Sequence, residues 1–199
     1  MAVAQTRIGG RAGVLNAAID NFTVLGYHGT SMRDIARATS MTVASIYHYF
    51  PSKQEILQEI MTSTMNDVIA LTRAELLNAG SEPADQLEAL VHAWILFHTS
   101  RQREALIGSS ELRSLEQDGR AVVVRLRDEQ ERMFRDVIVR GVEMGVFATP
   151  YPRDAARAVI NMGYSIAWWY HEGGGVSPED MAKRYVDIAL GVVRAVPRR

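Results

Sequence analysis

Residues Gly26 to Leu57 read G-Y-H-G-T-S-M-R-D-I-A-R-A-T-S-M-T-V-A-S-I-Y-H-Y-F-P-S-K-Q-E-I-L, and the fold is decided here. Ser31 precedes a short run with apolar residues at helical spacing, Met32, Ile35 and Ala36. Asp34 lies three residues on, where its carboxylate can return the hydrogen bond of a capping box, so a helix of about eight residues is predicted. After Thr39, Ser40 and Met41, Thr42 can cap another short helix through Val43, Ala44, Ser45, Ile46, Tyr47 and His48 until Pro51 stops it. Upstream, Leu15, Ala18, Ile19, Phe22 and Leu25 follow an i, i+3, i+4, i+7 pattern that Gly26 ends. Two short helices joined by a tight turn form a helix-turn-helix, which inserts its second helix into a DNA major groove. Small residues Val43, Ala44 and Ser45 would let the backbone come close, while Thr42 and helix-start N–H groups suit phosphate oxygens. Tyr47, His48 and Lys53 would reach DNA from the same side, with Ser31 and Arg33 at the start of the preceding helix completing the set. Spacing alone leaves an ordinary three-helix core open as the competing reading.

The charge distribution agrees with a DNA-facing head. The chain of 199 residues is 47% hydrophobic and 23% charged with a formal net charge of −1, which excludes a uniformly basic coating protein but not a local basic patch. Residues 1–53 hold five bases (Arg7, Arg11, Arg33, Arg37, Lys53) against two acids, a balance of +3, and the remainder balances at −4. With no Cys, disulfide scaffolds, thiolate zinc sites and Cys nucleophiles are excluded. The most apolar stretch, 90–97, is far shorter than the roughly 20 residues that span a bilayer, and the first residues lack a signal-peptide core. A cytoplasmic protein without a membrane partner is expected.

Beyond Pro51 the spacing stays helical. Ser52 caps a long helix with Ile56, Leu57, Ile60, Met61, Met65, Val68 and Leu71 inward, ending near Gly80. Further helices are predicted over 82–100, 104–114, 118–145, 153–172 and 177–196, the last opening S-P-E-D with Ser177 as cap. The expected fold is all-α with about nine helices: a helix-turn-helix head, 1–51, and a helical body, 52–199. A small-molecule pocket in the body would draw on Trp94, Phe97 and His98, on Met133, Phe134 and Val137, and on Met162, Ser165, Trp168 and Trp169. Ordinary core packing is the competing reading for each. Gly173 to Gly175 lacks the lysine and preceding strand of a phosphate loop. Glu88 and His92 share a helix face but fit a packing pair better than a metal site, so no metal, cofactor or catalytic constellation is expected.

The stretch from Gly26 to Leu57, with its Y-H-Y-F-x-S-K-x-x-[IL] ending, resembles the DNA-binding domain of the TetR family of bacterial transcriptional regulators. It departs from the commonest pattern at Ser40, where a turn glycine is usual, at Val43, where a polar or basic residue is frequent, and at Ala44, where glycine is frequent. These departures bear on which operator is read; Val43 offers an apolar contact where a hydrogen bond is common. The resemblance implies a homodimer on a near-palindromic operator, formed through the last two helices. Here their apolar faces are Val159, Met162, Gly163 and Ile166, and Ala182, Tyr185, Val186, Ala189 and Val193. It further implies repression relieved by a small hydrophobic effector, with the helix from Ser52 linking body to head. More loosely, the C-terminal stretch W-W-Y-H-E-G-G-G-V-S-P-E-D-M-A and the segment before it resemble members that respond to acyl-CoA thioesters. That makes Arg101, Arg103, Arg113 and Arg120 candidates for the CoA phosphates, surface arginines being the alternative. A helical acyl-thioester-binding protein or enzyme with a vestigial head is the second reading.

Overall fold

The computed structural model describes residues 10–171 and 173–196; Arg7 and the helix end expected at Glu172 lie outside them. Among the described residues there are nine α-helices, a 3₁₀ turn (Glu111–Ser114) and no strand. Helix α1 (Gly10–Gly29) is broken at Gly26, whose φ of 73° belongs to the left-handed region that glycine enters without steric cost. The stop expected at Gly26 thus becomes a kink followed by one more turn. Helix α2 (Met32–Thr39) starts with the expected capping box: the Asp34 amide donates to Ser31 Oγ at 3.3 Å, and Asp34 Oδ2 accepts from the Ser31 amide at 2.9 Å. Ser40 closes it in the left-handed conformation at φ 57°. Thr42 caps α3 (Val43–Tyr49) through the Ser45 amide at 3.0 Å, and Ser52 caps α4 (Lys53–Asn78) through the Glu55 amide at 3.1 Å.

Helices α1 to α3 and the start of α4 bury Val14, Ala18, Phe22, Ile35, Ile46, Phe50, Ile56 and Leu57 together. Leu25, predicted on the inner face of α1, is instead exposed, because Val14, Ala17 and Ala18 turn the buried stripe a fraction of a turn away. Further along α4, Leu71 is also exposed and Thr64 and Thr72 take inner positions. Helix α5 (Pro83–Ser100) runs through the middle of the body against α4, α7 (Gln117–Glu143), α8 (Pro152–Trp169) and α9 (Pro178–Val193). This central place explains why most of its residues are buried, Gln86, His98 and Thr99 among them. Helix α6 (Gln102–Ser110) is shorter than the 104–114 segment predicted, its last turn tightening into the 3₁₀ turn. Arg194 in the left-handed conformation ends α9 three residues early, beside an isolated bridge between Phe147 and Ala195.

One sequence expectation is overturned by packing. Val159, Gly163 and Ile166 of α8 and Ala182, Ala189 and Val193 of α9 are buried within the chain's own core, and Met162, Tyr185 and Val186 are half-buried against it. The six buried residues are already covered by α5 and its neighbours and cannot also cover a second protomer, whereas Met162, Tyr185 and Val186 keep part of their surface exposed. The strongest apolar stripe on an amphipathic helix is taken by the intrachain core.

Candidate DNA interface and effector cavity

The head presents α3 to solvent along one side. Ala44, Tyr47 and His48, spaced i, i+3 and i+4, are exposed, while Ile46 on the opposite side is fully buried. Thr42 is exposed, and its hydroxyl is shared between the Ser45 amide and Ser45 Oγ at 2.8 Å. Arg33 and Ser31 are exposed at the start of α2, Ser31 being tied into the capping box. Val43 is half-buried against the core, which limits the apolar contact expected of it. Lys53 is a correction. Its Nζ donates to the carbonyls of Tyr27 at 2.7 Å and Thr30 at 2.6 Å and lies 4.1 Å from the Tyr27 ring centre. Two of three ammonium donors therefore hold the turn after the Gly26 kink, and burial pulls the Lys53 pKa below its ordinary value. The residue read as a DNA contact acts first as a clamp between α1 and α4.

In the body, α4, α5, α6, α7 and α8 enclose a cavity of about 20 Å³, space for roughly one water. Its wall is largely apolar, with Met61, Met65 and Val68 from α4 and Trp94 and Phe97 from α5. The Trp94 Nε1–H donates to the Ile160 carbonyl at 3.1 Å, and the ring lies 4.2 Å from His98 and 5.2 Å from Tyr164, centre to centre. His98 Nδ1 lies 2.7 Å from the Trp94 carbonyl, an acceptor only, so Nδ1 carries the proton and Nε2 is left as acceptor. Burial pushes the His98 pKa down to about 4. Arg127 of α7 places its guanidinium 5.5 Å from the Tyr164 ring centre and donates through Nη2 to the Gly108 carbonyl, yet its buried Nε has no hydrogen-bond partner.

Trp94, Phe97 and His98 thus line the cavity as the sequence suggested. Phe134 stands one layer behind, its ring 6.0 Å from Trp94, and Met133, Val137 and Met162 pack elsewhere in the core. Ser165 is exposed, and Trp168 and Trp169 are 61% and 47% exposed, so these three are corrected out of the cavity wall. Arg101 is held by Asp67 at 2.6 Å and Glu104 at 2.9 Å, and Arg103 pairs with Asp20. Arg113 and Arg120 are exposed. His92 pairs with Glu179 across helices, at 2.9 Å, rather than with Glu88; no group of three metal-ligating side chains occurs among the described residues. Sequence reasoning missed Arg127 and Tyr164. The signal was present: Arg127 interrupts the buried stripe Val123, Gln130 and Phe134 on the inner face of α7.

Residues 14–60 match the family described as bacterial regulatory proteins, tetR family, and residues 80–193 match the tetracyclin repressor-like C-terminal domain. The chain belongs to the TetR family. The HTH-type transcriptional repressor KstR2 of Rhodococcus jostii is 28% identical over 184 residues, which cover 92% of this chain and 90% of that one. A solved TetR-family regulatory protein from Rhodococcus RHA1 superposes with a TM-score of 0.89 at 26% identity, covering 98% of this chain and 100% of the other. AibR, solved in complex with isovaleryl coenzyme A and operator DNA, superposes with a TM-score of 0.83 at 22% identity, covering 94% of this chain and 99% of its own. The protein is therefore a TetR-family transcriptional regulator and not an enzyme, which sets aside the acyl-thioester enzyme reading. Among the described residues no helix is long and apolar enough to cross a membrane.

Proposed function

We propose that this TetR-family regulator is a repressor that holds a near-palindromic operator as a dimer and lets go when a small apolar effector enters the body cavity. The head, 1–51, reads DNA through Ala44, Tyr47 and His48 of α3, supported by Thr42, Ser45, Ser31 and Arg33. In a two-fold dimer the two α3 helices enter successive major grooves about 34–36 Å apart. The two protomers meet through the uncovered sides of α8 and α9. On α8 these are Ala158, Asn161, Ser165 and Trp168, and on α9 Arg184, Ile188 and Gly191, exposed at helical spacing.

The observation that carries the reading is that α6 and the 3₁₀ turn touch both the cavity and the base of the head. Glu104, Ala105 and Gly108 line the cavity, and the adjacent Arg103 pairs with Asp20 of α1. A few residues on, the Ser114 carbonyl accepts from Gln54 Nε2 at 2.6 Å, the Glu116 amide donates to Gln54 Oε1 at 3.1 Å, and Ser114 Oγ lies 3.1 Å from His28 Nε2. A cavity sized for one water must widen for any effector. Displacing α6 then pulls on the head, so α6 joins α4 as the link between the sites. A tenfold loss of operator affinity requires only about 1.4 kcal/mol of such coupling. Two relatives support this direction: KstR2 is a transcriptional repressor, and AibR was solved with isovaleryl coenzyme A and operator DNA. An acyl-CoA thioester is accordingly the first effector to try.

In vitro selection of genomic fragments by the purified protein, with and without short-chain acyl-CoA thioesters, tests the reading. A recovered inverted repeat that is lost with acyl-CoA supports it. Recovery unchanged by every thioester removes that effector class, and enrichment of no sequence at any salt concentration overturns operator binding.

A further inference from the structure

The cavity wall carries a cation that makes no ion pair of its own. Arg127 projects from α7 into a wall of Met61, Met65, Val68, Trp94 and Phe97, and no carboxylate stands within ion-pair distance of it among the described residues. Glu104, on the same wall, is bonded to Arg101, and Glu131, one turn further along α7, lies 3.4 Å from Arg157. Of the Arg127 donors, Nη2 meets the Gly108 carbonyl, whereas the buried Nε–H meets no acceptor. An unmet donor in an apolar enclosure costs free energy, and the cost rises when the group carries a charge. The arrangement is relieved by an incoming group that is both anionic and an oxygen acceptor, because guanidinium pairs with carboxylate through short, charge-assisted bonds. Beside it, His98 is neutral with Nε2 as acceptor, so the next position suits a neutral donor or an apolar atom rather than a second anion.

We infer that Arg127 is the anchor for the carboxylate of a small apolar acid, with the two methionines and Trp94 enclosing its hydrocarbon part. This rests on the reading of the cavity as the effector site and names the chemistry of the effector's polar end. It separates two sources of an acyl group: a free acid presents the anion, while a simple thioester has exchanged that charge for a neutral carbonyl. Met61 and Met65 are unbranched and adaptable, so they are the walls that yield when the cavity opens.

Calorimetric titration of the full-length protein with butyrate, octanoate and cyclohexanecarboxylate, alongside their methyl esters and CoA thioesters, tests the assignment. At least one free acid is expected to bind the wild type at least about tenfold more tightly than its ester, the scale of a charge-assisted hydrogen bond. Arg127→Met is expected to remove that preference while leaving ester binding within about threefold. Arg127→Lys keeps the charge and stem but lacks the Nε–H; it is expected to lose about fivefold and serves if the methionine variant does not fold. Equal binding of acid by the wild type and both variants, binding of esters or thioesters without any free acid, or binding of no probe overturns the anchor. If thioesters alone bind and release operator, effector control stands and only the anchor falls. If an acid binds through Arg127 but operator affinity is unchanged, the anchor stands and effector control falls.

Discussion

His98 and Gly163 show how single residues set the properties of the cavity. The folded state holds His98 with a pKa of about 4 against an ordinary 6.5, so it resists the proton that the unfolded chain takes up. Stability therefore falls as pH drops through the window from 6.5 to about 4, by about 2–3 kcal/mol at pH 4.5 from this group. His98→Asn removes the titration and is expected to shrink its stability deficit against wild type by that amount between pH 7 and 4.5, read from urea unfolding. Gly163 matters through the space it leaves. A Cβ there would collide with Nε1 and Cδ1 of the Trp94 indole, which is fixed by its hydrogen bond to Ile160. Gly163→Ala should cost about 2–3 kcal/mol through overpacking and loss of that bond, seen as a lower urea midpoint with unchanged m-value.

At the scale of the element, α3 divides cleanly into a buried side and an exposed side. Ile46 anchors it, whereas Tyr47 and His48 make no contribution to the core, so Tyr47→Ala and His48→Ala should leave the melting temperature within about 2 °C. Each should nevertheless weaken operator binding by about tenfold, the ordinary scale of a lost base or phosphate contact, in a fluorescence anisotropy titration at fixed salt. Unchanged affinity in both variants would take α3 out of the interface. The α6 segment makes a different prediction. Gln54, at the start of α4, bonds Ser114 and Glu116 with both ends of its amide, so Gln54→Ala loosens the tie from the 3₁₀ turn to the base of the head while Ser114–His28 and Arg103–Asp20 stay in place. Effector affinity should stay within about twofold while effector-induced release of operator shrinks, because only the coupling energy is lost. Full release by the variant would take the Gln54 tie out of the coupling.

At the scale of the whole molecule, the dimer surface proposed above is the uncovered side of α8 and α9. Ile188 is 48% exposed there, and Trp168 more so, which is costly for a monomer in water and ordinary for a surface that a second copy covers. Ile188→Arg places a charge where an apolar contact is expected. The variant should sediment as a monomer at micromolar concentration with the fold intact by circular dichroism. Its operator affinity should fall by at least about a hundredfold, since one head binds where two did. A variant that remains dimeric would move the interface elsewhere.

The caps, breaks and periods were legible because they depend on residues within a few positions of one another. Ser31 with Asp34, Thr42 with Ser45 and Ser52 with Glu55 are local hydrogen bonds, and the apolar spacing of α4 and α5 follows from the helical repeat. The sequence by itself thus determined an all-α chain, a helix-turn-helix head and the Tyr47 and His48 face of α3. Only the tertiary structure decided which side of α8 and α9 is left exposed, because the apolar stripe says that a face is covered but not by what. The same holds for Lys53, whose carbonyl partners lie 26 and 23 residues away, and for Arg127, whose Gly108 partner lies 19 away. A side chain's charge is written in the sequence; whether that charge is compensated depends on neighbours that only folding brings to it.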